Sequence, residues 1–175
     1  CNIRKYNEKF IKEKLKHDYF YRNEGFLDIK REVFKKYPKF LVLNFFKIAI
    51  FRLGNKNYFS KVKVLEKLYF AALQNKNIIY SLGGCILVIN KKKIFIFREY
   101  NDLEKETQLL PGNSKLIWDN RFKITNKTNE PIKILPLGSV LHNSFYKKNF
   151  KINKKKVKNL PFHVRKTLPA IFTLE

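Results

Sequence analysis

Ser81-Leu82-Gly83-Gly84-Cys85-Ile86-Leu87-Val88-Ile89-Asn90-Lys91-Lys92-Lys93-Ile94-Phe95-Ile96-Phe97-Arg98-Glu99 reads as a hairpin. Two apolar, β-favouring runs, Cys85 to Ile89 and Ile94 to Phe97, flank the polar turn Asn90 to Lys93, and Gly83-Gly84 supply backbone freedom at the entrance. The spacing of apolar residues is helical before this stretch and alternating after it. The expected class is therefore α+β: a small all-helical domain followed by a β-rich mixed domain with hairpins and a short helix. The boundaries read as 1–76 for the helical domain, 77–109 for a connecting hairpin and charged loop, and 110–175 for the β-rich domain.

Upstream, Asn2 to Tyr21 carries apolar residues at helical spacing with a basic outer face. Asp28 is placed to cap a helix through Lys30 to Tyr37, with Glu32 near its positive end. Pro38 suits the first turn of a further helix that is apolar almost all round and stops at Gly54, as expected of the buried centre of a bundle. Ser60 caps a fourth helix, whose apolar face includes Val64, Leu65, Leu68 and Ala72. Downstream, Tyr100 to Gln108 reads as a charged loop and Leu110 to Asn113 as a turn. Asp119-Asn120 is a tight hairpin signal between Leu116 to Trp118 and Arg121 to Ile124. Ile132 to Leu135 is a strand closed by Pro136 and Gly138. Val140 to Asn159, with Lys147-Lys148 and Lys154-Lys155-Lys156, reads as a loop or weak helix. Pro161 opens a short helix through Lys166, and Pro169 to Leu174 is a last strand.

The formal charge of +24 points to a polyanionic partner, RNA above all. Part of that excess is compositional: 31 of the 38 basic residues are Lys, beside 18 Asn, the bias of an AT-rich genome. Cys1 and Cys85 are too far apart in sequence to argue a disulfide framework or a zinc ribbon. The most apolar run, Phe40 to Phe51, is too short and too interrupted by polar residues to span a bilayer, and no signal peptide opens the chain. A cytoplasmic protein with no membrane partner is expected. A first residue other than Met, and no Met anywhere, lead us to expect a piece of a longer protein.

No catalytic constellation assembles. His17, His142 and His163 lack ligand spacing, and Gly83-Gly84 lies in neither a GxxxxGK[ST] nor a GxGxxG pattern. Two clusters remain. Trp118-Asp119-Asn120-Arg121-Phe122 reads either as a stacking platform with a charge clamp or as core packing with a local ion pair. Arg165-Lys166, ending a short helix before Leu168-Pro169, suits the helix dipole and equally a phosphate-contacting patch.

The series Arg31-Glu32-Val33, Leu82-Gly83-Gly84-Cys85, Arg98-Glu99, Leu110-Pro111-Gly112, Trp118-Asp119-x-Arg121-Phe122 and Arg165-x-Thr167-Leu168-Pro169-Ala170 resembles the C-terminal half of bacterial tRNA(Ile)-lysidine synthetases, particularly those of α-proteobacterial type. The resemblance implies an ATP-dependent carbon–nitrogen ligase that joins lysine to the wobble cytidine of the CAU anticodon of tRNA(Ile). It implies partners in tRNA(Ile), lysine and ATP, and a homodimer in some lineages. The family's ATP site is an N-terminal Ser-Gly-Gly-x-Asp-Ser loop, absent here, so no catalytic, cofactor or metal residue is assigned. The expectation is that this chain handles tRNA without catalysing ligation, with Arg98, Arg121, Arg165 and Lys166 as phosphate contacts and Trp118 as the packing or stacking residue. Two other readings use the same residues: a stand-alone basic RNA-binding module, and a purely structural domain.

Overall fold

The structure is a computed structural model that describes residues 9–11, 13–54, 62–74, 77–142, 157 and 159–173. It has both helices and antiparallel sheets, so the class is α+β. The chain divides into two compact units between Phe97 and Arg98.

In the first unit, strands β1 (Tyr19–Arg22), β2 (Phe26–Lys30), β3 (Ile78–Leu82), β4 (Cys85–Ile89) and β5 (Lys93–Arg98, whose last residue begins the second unit) form one sheet in the order β1-β2-β5-β4-β3. Helices α1 (Val33–Lys36), α2 (Lys39–Gly54) and α3 (Val62–Leu73) belong to the same unit. Alternate strand residues, Leu27, Ile29, Ile94, Ile96, Leu87 and Ile89, join Val42, Phe45, Phe46, Ile50, Leu53, Leu65 and Leu68 in a single core. Each such side chain contributes about 1.5–3 kcal/mol on leaving water. The expected hairpin Ser81 to Glu99 is present, and β3, β4 and β5 are members of this sheet. The glycines at its entrance have left-handed backbones, φ +60° for Gly83 and +76° for Gly84. Gly54 packs so closely there that a β-carbon would run into the Gly83 carbonyl.

Two expectations for this unit are corrected. Residues 9–11 and 13–15 are helical, but Tyr19–Arg22 is a strand joined to β2 by a turn in which Gly25 has φ +75°. Asp28 caps no helix: it lies buried in β2, where its carboxylate accepts from Arg22 at 2.9 Å and Lys93 at 2.7 Å. The reason is pairing at a distance. Leu27 and Ile29 stand opposite Ile96 and Ile94, and that burial outweighs one local cap, which shortens the expected Lys30 to Tyr37 helix to Val33–Lys36. By contrast α2 covers nearly the span expected from Pro38 to Gly54. Ser60 lies outside the described residues.

In the second unit, β6 (Thr107–Leu109), β9 (Ile132–Pro136) and β10 (Pro169–Thr173) form a three-stranded antiparallel sheet with β9 in the centre. Strands β7 (Lys115–Trp118) and β8 (Phe122–Thr125) form the expected hairpin, with Asp119 and Asn120 both left-handed at its turn, φ +50° and +55°. Ile132 and Ile134 pack with Leu109, Trp118 and Ile124, while Leu135 packs with Leu137, Val140 and Ala170. Short helices α4 (Leu137–His142) and α5 (Phe162–Lys166) complete this unit. The Tyr100 to Gln108 loop is more ordered than expected, with a 3₁₀ turn at Tyr100–Asp102 and the start of β6. A helix, rather than a strand end, carries Gly138. The Lys147-Lys148 and Lys154 to Lys156 runs lie outside the described residues.

Candidate nucleic-acid interface

Five residues were expected to meet tRNA: Arg98, Trp118, Arg121, Arg165 and Lys166. The structure sorts them into an internal group and a surface group, both in the second unit.

Arg98, Arg121 and Trp118 are internal. The tight β7–β8 turn, which Asp and Asn tolerate in left-handed conformation, places the Asp119 carboxylate between two guanidiniums. Arg98 Nε donates to Asp119 Oδ1 at 3.0 Å, and Arg121 Nε donates to Asp119 Oδ2 at 2.6 Å. Arg98 Nη2 also donates to the Asp102 carbonyl at 2.8 Å, and Arg121 Nη2 to the Thr167 carbonyl at 2.9 Å. With side-chain exposures of 3% and 1%, neither guanidinium offers an edge to phosphate. The expectation for these two residues is corrected on that ground: burial beside a carboxylate, not solvent, is what satisfies them. Trp118 is 1% exposed and packs 6.1 Å from the Phe122 ring, so it is a core residue and not a platform. Its Nε1 has no hydrogen-bond partner among the described residues.

Arg165 and Lys166 are different. Both are half-buried at the end of α5, and their cations converge on aromatic faces. Lys166 Nζ lies 4.4 Å from the centroid of Phe162 and 5.7 Å from that of Tyr100, and the Arg165 guanidinium carbon lies 5.8 Å from Phe162. Tyr100 is anchored by a 2.9 Å hydrogen bond with Ser139. Phe162 is 55% exposed, with the His163 ring edge-on at 5.8 Å. Arg165 Nε is buried without an acceptor among the described residues. Positions 162, 165 and 166 share one helical face, and that i, i+3, i+4 spacing was the available signal for Phe162, which the sequence reading did not single out. An exposed ring beside two cations suits a stacked base with its phosphate.

No group of three or more His, Cys, Asp or Glu residues stands together as metal ligands among the described residues. Gly83-Gly84 joins β3 to β4, strand to strand, where a glycine-rich phosphate loop leads from a strand into a helix. Among the described residues no helix is long and apolar enough to cross a membrane.

No protein-family model matches the chain, and neither does any solved structure. Curated relatives do. The tRNA(Ile)-lysidine synthase of Rickettsia rickettsii (strain Sheila Smith) is 30% identical over 154 residues, 86% of this chain and 31% of that protein. The same enzyme of Rickettsia bellii (strain RML369-C) is 34% identical over 106 residues, 60% of this chain and 24% of the relative. That of Wolbachia sp. subsp. Brugia malayi (strain TRS) is 29% identical over 116 residues, 65% of this chain and 27% of the relative. The chain spans less than a third of the length of these relatives. Over most of its own length, the chain is a homologue of tRNA(Ile)-lysidine synthases, a tRNA-modification family.

Proposed function

We propose that this chain is the tRNA-handling part of a tRNA(Ile)-lysidine synthase and that it grips tRNA through the Phe162, Arg165 and Lys166 surface of its second unit. The observation that carries the reading is the exposed Phe162 ring with two cations converging on it, in a chain of net charge +24 whose relatives are named for tRNA(Ile). In the whole protein the activity is ATP-dependent joining of lysine to the wobble cytidine of the CAU anticodon. The ATP site then belongs to sequence outside these 175 residues, since no Ser-Gly-Gly-x-Asp-Ser loop occurs in them. The work of the present residues is to bind and orient RNA, and the chain alone ligates no lysine. The compartment in this reading is the cytoplasm, where tRNA is modified.

A generic basic module would also bind RNA, and competition separates the two readings. Unlabelled tRNA(Ile) carrying the CAU anticodon is set against bulk tRNA, at salt rising from low to physiological. A preference for tRNA(Ile) that survives physiological salt supports the synthase reading. Equal competition with a steep loss of affinity supports the generic binder, and no binding at low salt removes both.

A further inference from the structure

Strand alternation gives the first unit's sheet a second face, opposite the one packed into the helical core. It carries Phe20 and Arg22 of β1, Phe26, Asp28 and Lys30 of β2, Lys93, Phe95 and Phe97 of β5, Ile86 and Val88 of β4, and Ile79 of β3. Phe26 and Phe97 are buried at one end, with ring centroids 5.6 Å apart. Across the middle runs a line of residues in register. Phe20 stands opposite Asp28, Asp28 opposite Phe95, and Ile79 opposite Val88. The hydrogen bond from Asn90 N to the Lys93 carbonyl closes the β4–β5 turn and brings Val88 level with Phe95. Phe20 and Ile79, at the two edges of the sheet, are 49% and 67% exposed, and Phe95 and Val88 are half-buried.

Charge distinguishes this row from an ordinary apolar surface. Asp28 is the only acid in the five strands, and Arg22 and Lys93 neutralise it. Arg22 also lies 5.5 Å from the Phe20 centroid, and Lys93 lies 6.0 Å from that of Phe95. At the Lys30 end of the sheet the turn adds Lys91 and Lys92, which with Lys93, Asn77 and Asn90 line an open cleft of about 410 Å³. A protein laid on the row would have to cover these cations. A polynucleotide needs both features, rings for its bases and cations for its phosphates.

We infer that this sheet face binds an unpaired stretch of RNA, with bases stacked on Phe20 and Phe95 and phosphates held by Arg22, Lys30 and the Lys91–Lys93 turn. Unpaired nucleotides are the chemistry that fits, because only they leave base faces free to meet aromatic side chains on a sheet. The inference rests on the tRNA-handling reading and adds to it a second contact surface on a different unit.

The test uses the full chain and two ligands, a tRNA transcript and an unstructured oligouridylate. Phe20→Ala and Lys91→Glu/Lys92→Glu alter exposed positions, so folding is checked by thermal unfolding and is expected to hold. Each variant should weaken oligouridylate binding by about fivefold or more. The double Lys variant should also lower the slope of log K against log salt. In a separate Phe20→Trp variant, fluorescence should be quenched on adding oligouridylate, as stacking requires. Unchanged affinity for both ligands in Phe20→Ala and Lys91→Glu/Lys92→Glu, or an unquenched Phe20→Trp signal, overturns the platform and leaves the tRNA reading standing. Oligouridylate binding that depends on Phe20, without any tRNA binding, supports the platform and removes the tRNA reading. Loss of self-association in Phe20→Ala with RNA affinity unchanged would make the face a protein contact and overturn the inference.

Discussion

One carboxylate, Asp119, holds two guanidiniums: Arg98 at 3.0 Å and Arg121 at 2.6 Å, all three buried. Asp119→Asn keeps a residue that tolerates φ +50° and removes only the charge, taking from two buried guanidiniums the carboxylate they share, while Arg98 keeps Asp102 at 3.8 Å. We expect a loss of about 3–5 kcal/mol in urea unfolding. A loss below about 1 kcal/mol, the size of an exposed pair, would show that solvent reaches these side chains.

Trp118 is expected to ignore RNA. Being buried, the lone Trp should emit at short wavelength, resist acrylamide quenching and show no change when tRNA is added. Trp118→Ala should cost about 3–5 kcal/mol of stability. Trp118→Phe should cost clearly less, since it also removes an indole N–H that has no partner among the described residues. Emission that shifts with tRNA would return Trp118 to the interface.

Much of this fold is legible before any coordinates. The apolar run between Pro38 and Gly54 has one good solution, a buried helix, and Asp119-Asn120 between apolar runs has one good turn. Residues 19–30 are harder. Their helical spacing and the Asp28 cap signal are local, whereas the partners that make them strands, Ile94 and Ile96, lie more than sixty residues on. Thr107–Leu109 is too short and polar to announce itself as a strand. At the candidate site, a local ion pair of Asp119 with Arg121 is one of the two readings the sequence offers, but nothing in it tells that Arg98, 21 residues upstream, shares the same carboxylate. The residues that carry the family resemblance are in large part internal: Trp118, Asp119, Arg121, Thr167 and Ala170.

Acid should loosen the first unit through Asp18 and Asp28. Burial pushes the Asp18 carboxyl up, but hydrogen bonds from Lys36 and Tyr37 and the nearby charges of Lys36 and Lys30 outweigh it and hold the group below its ordinary value. Asp28 is likewise pushed up by burial, and hydrogen bonds and charges from Lys93 and Arg22 outweigh this and hold it below its ordinary value. A depressed carboxyl stabilises the fold above its unfolded pKa, about 3.9, and loses that stabilisation as pH falls through the folded value. Unfolding midpoints should therefore be flat from pH 7 to about 5 and fall below about pH 4. Asp18→Asn should be less stable at pH 7 and show a shallower acid fall. A wild-type midpoint that does not fall below about pH 4 would contradict the assignment.

Gly54→Ala should be far more damaging than Gly112→Ala. At Gly54 a methyl group meets the Gly83 carbonyl backbone, whereas at Gly112 it meets open space and only the φ of +79° resists it. The second change should cost about 1–2 kcal/mol, and the first should abolish the cooperative unfolding transition or cost several times as much. Equal effects would mean that the contact between α2 and the glycine turn is loose.

The grip we propose for the α5 surface on tRNA is tested by the salt dependence of tRNA binding by Arg165→Glu/Lys166→Glu beside the wild-type chain. Each lost phosphate contact lowers the slope of log K against log salt by about 1. We expect a slope smaller by about 2 and an affinity at least tenfold weaker at low salt, with thermal stability held. Wild-type affinity and slope in the double variant would contradict it.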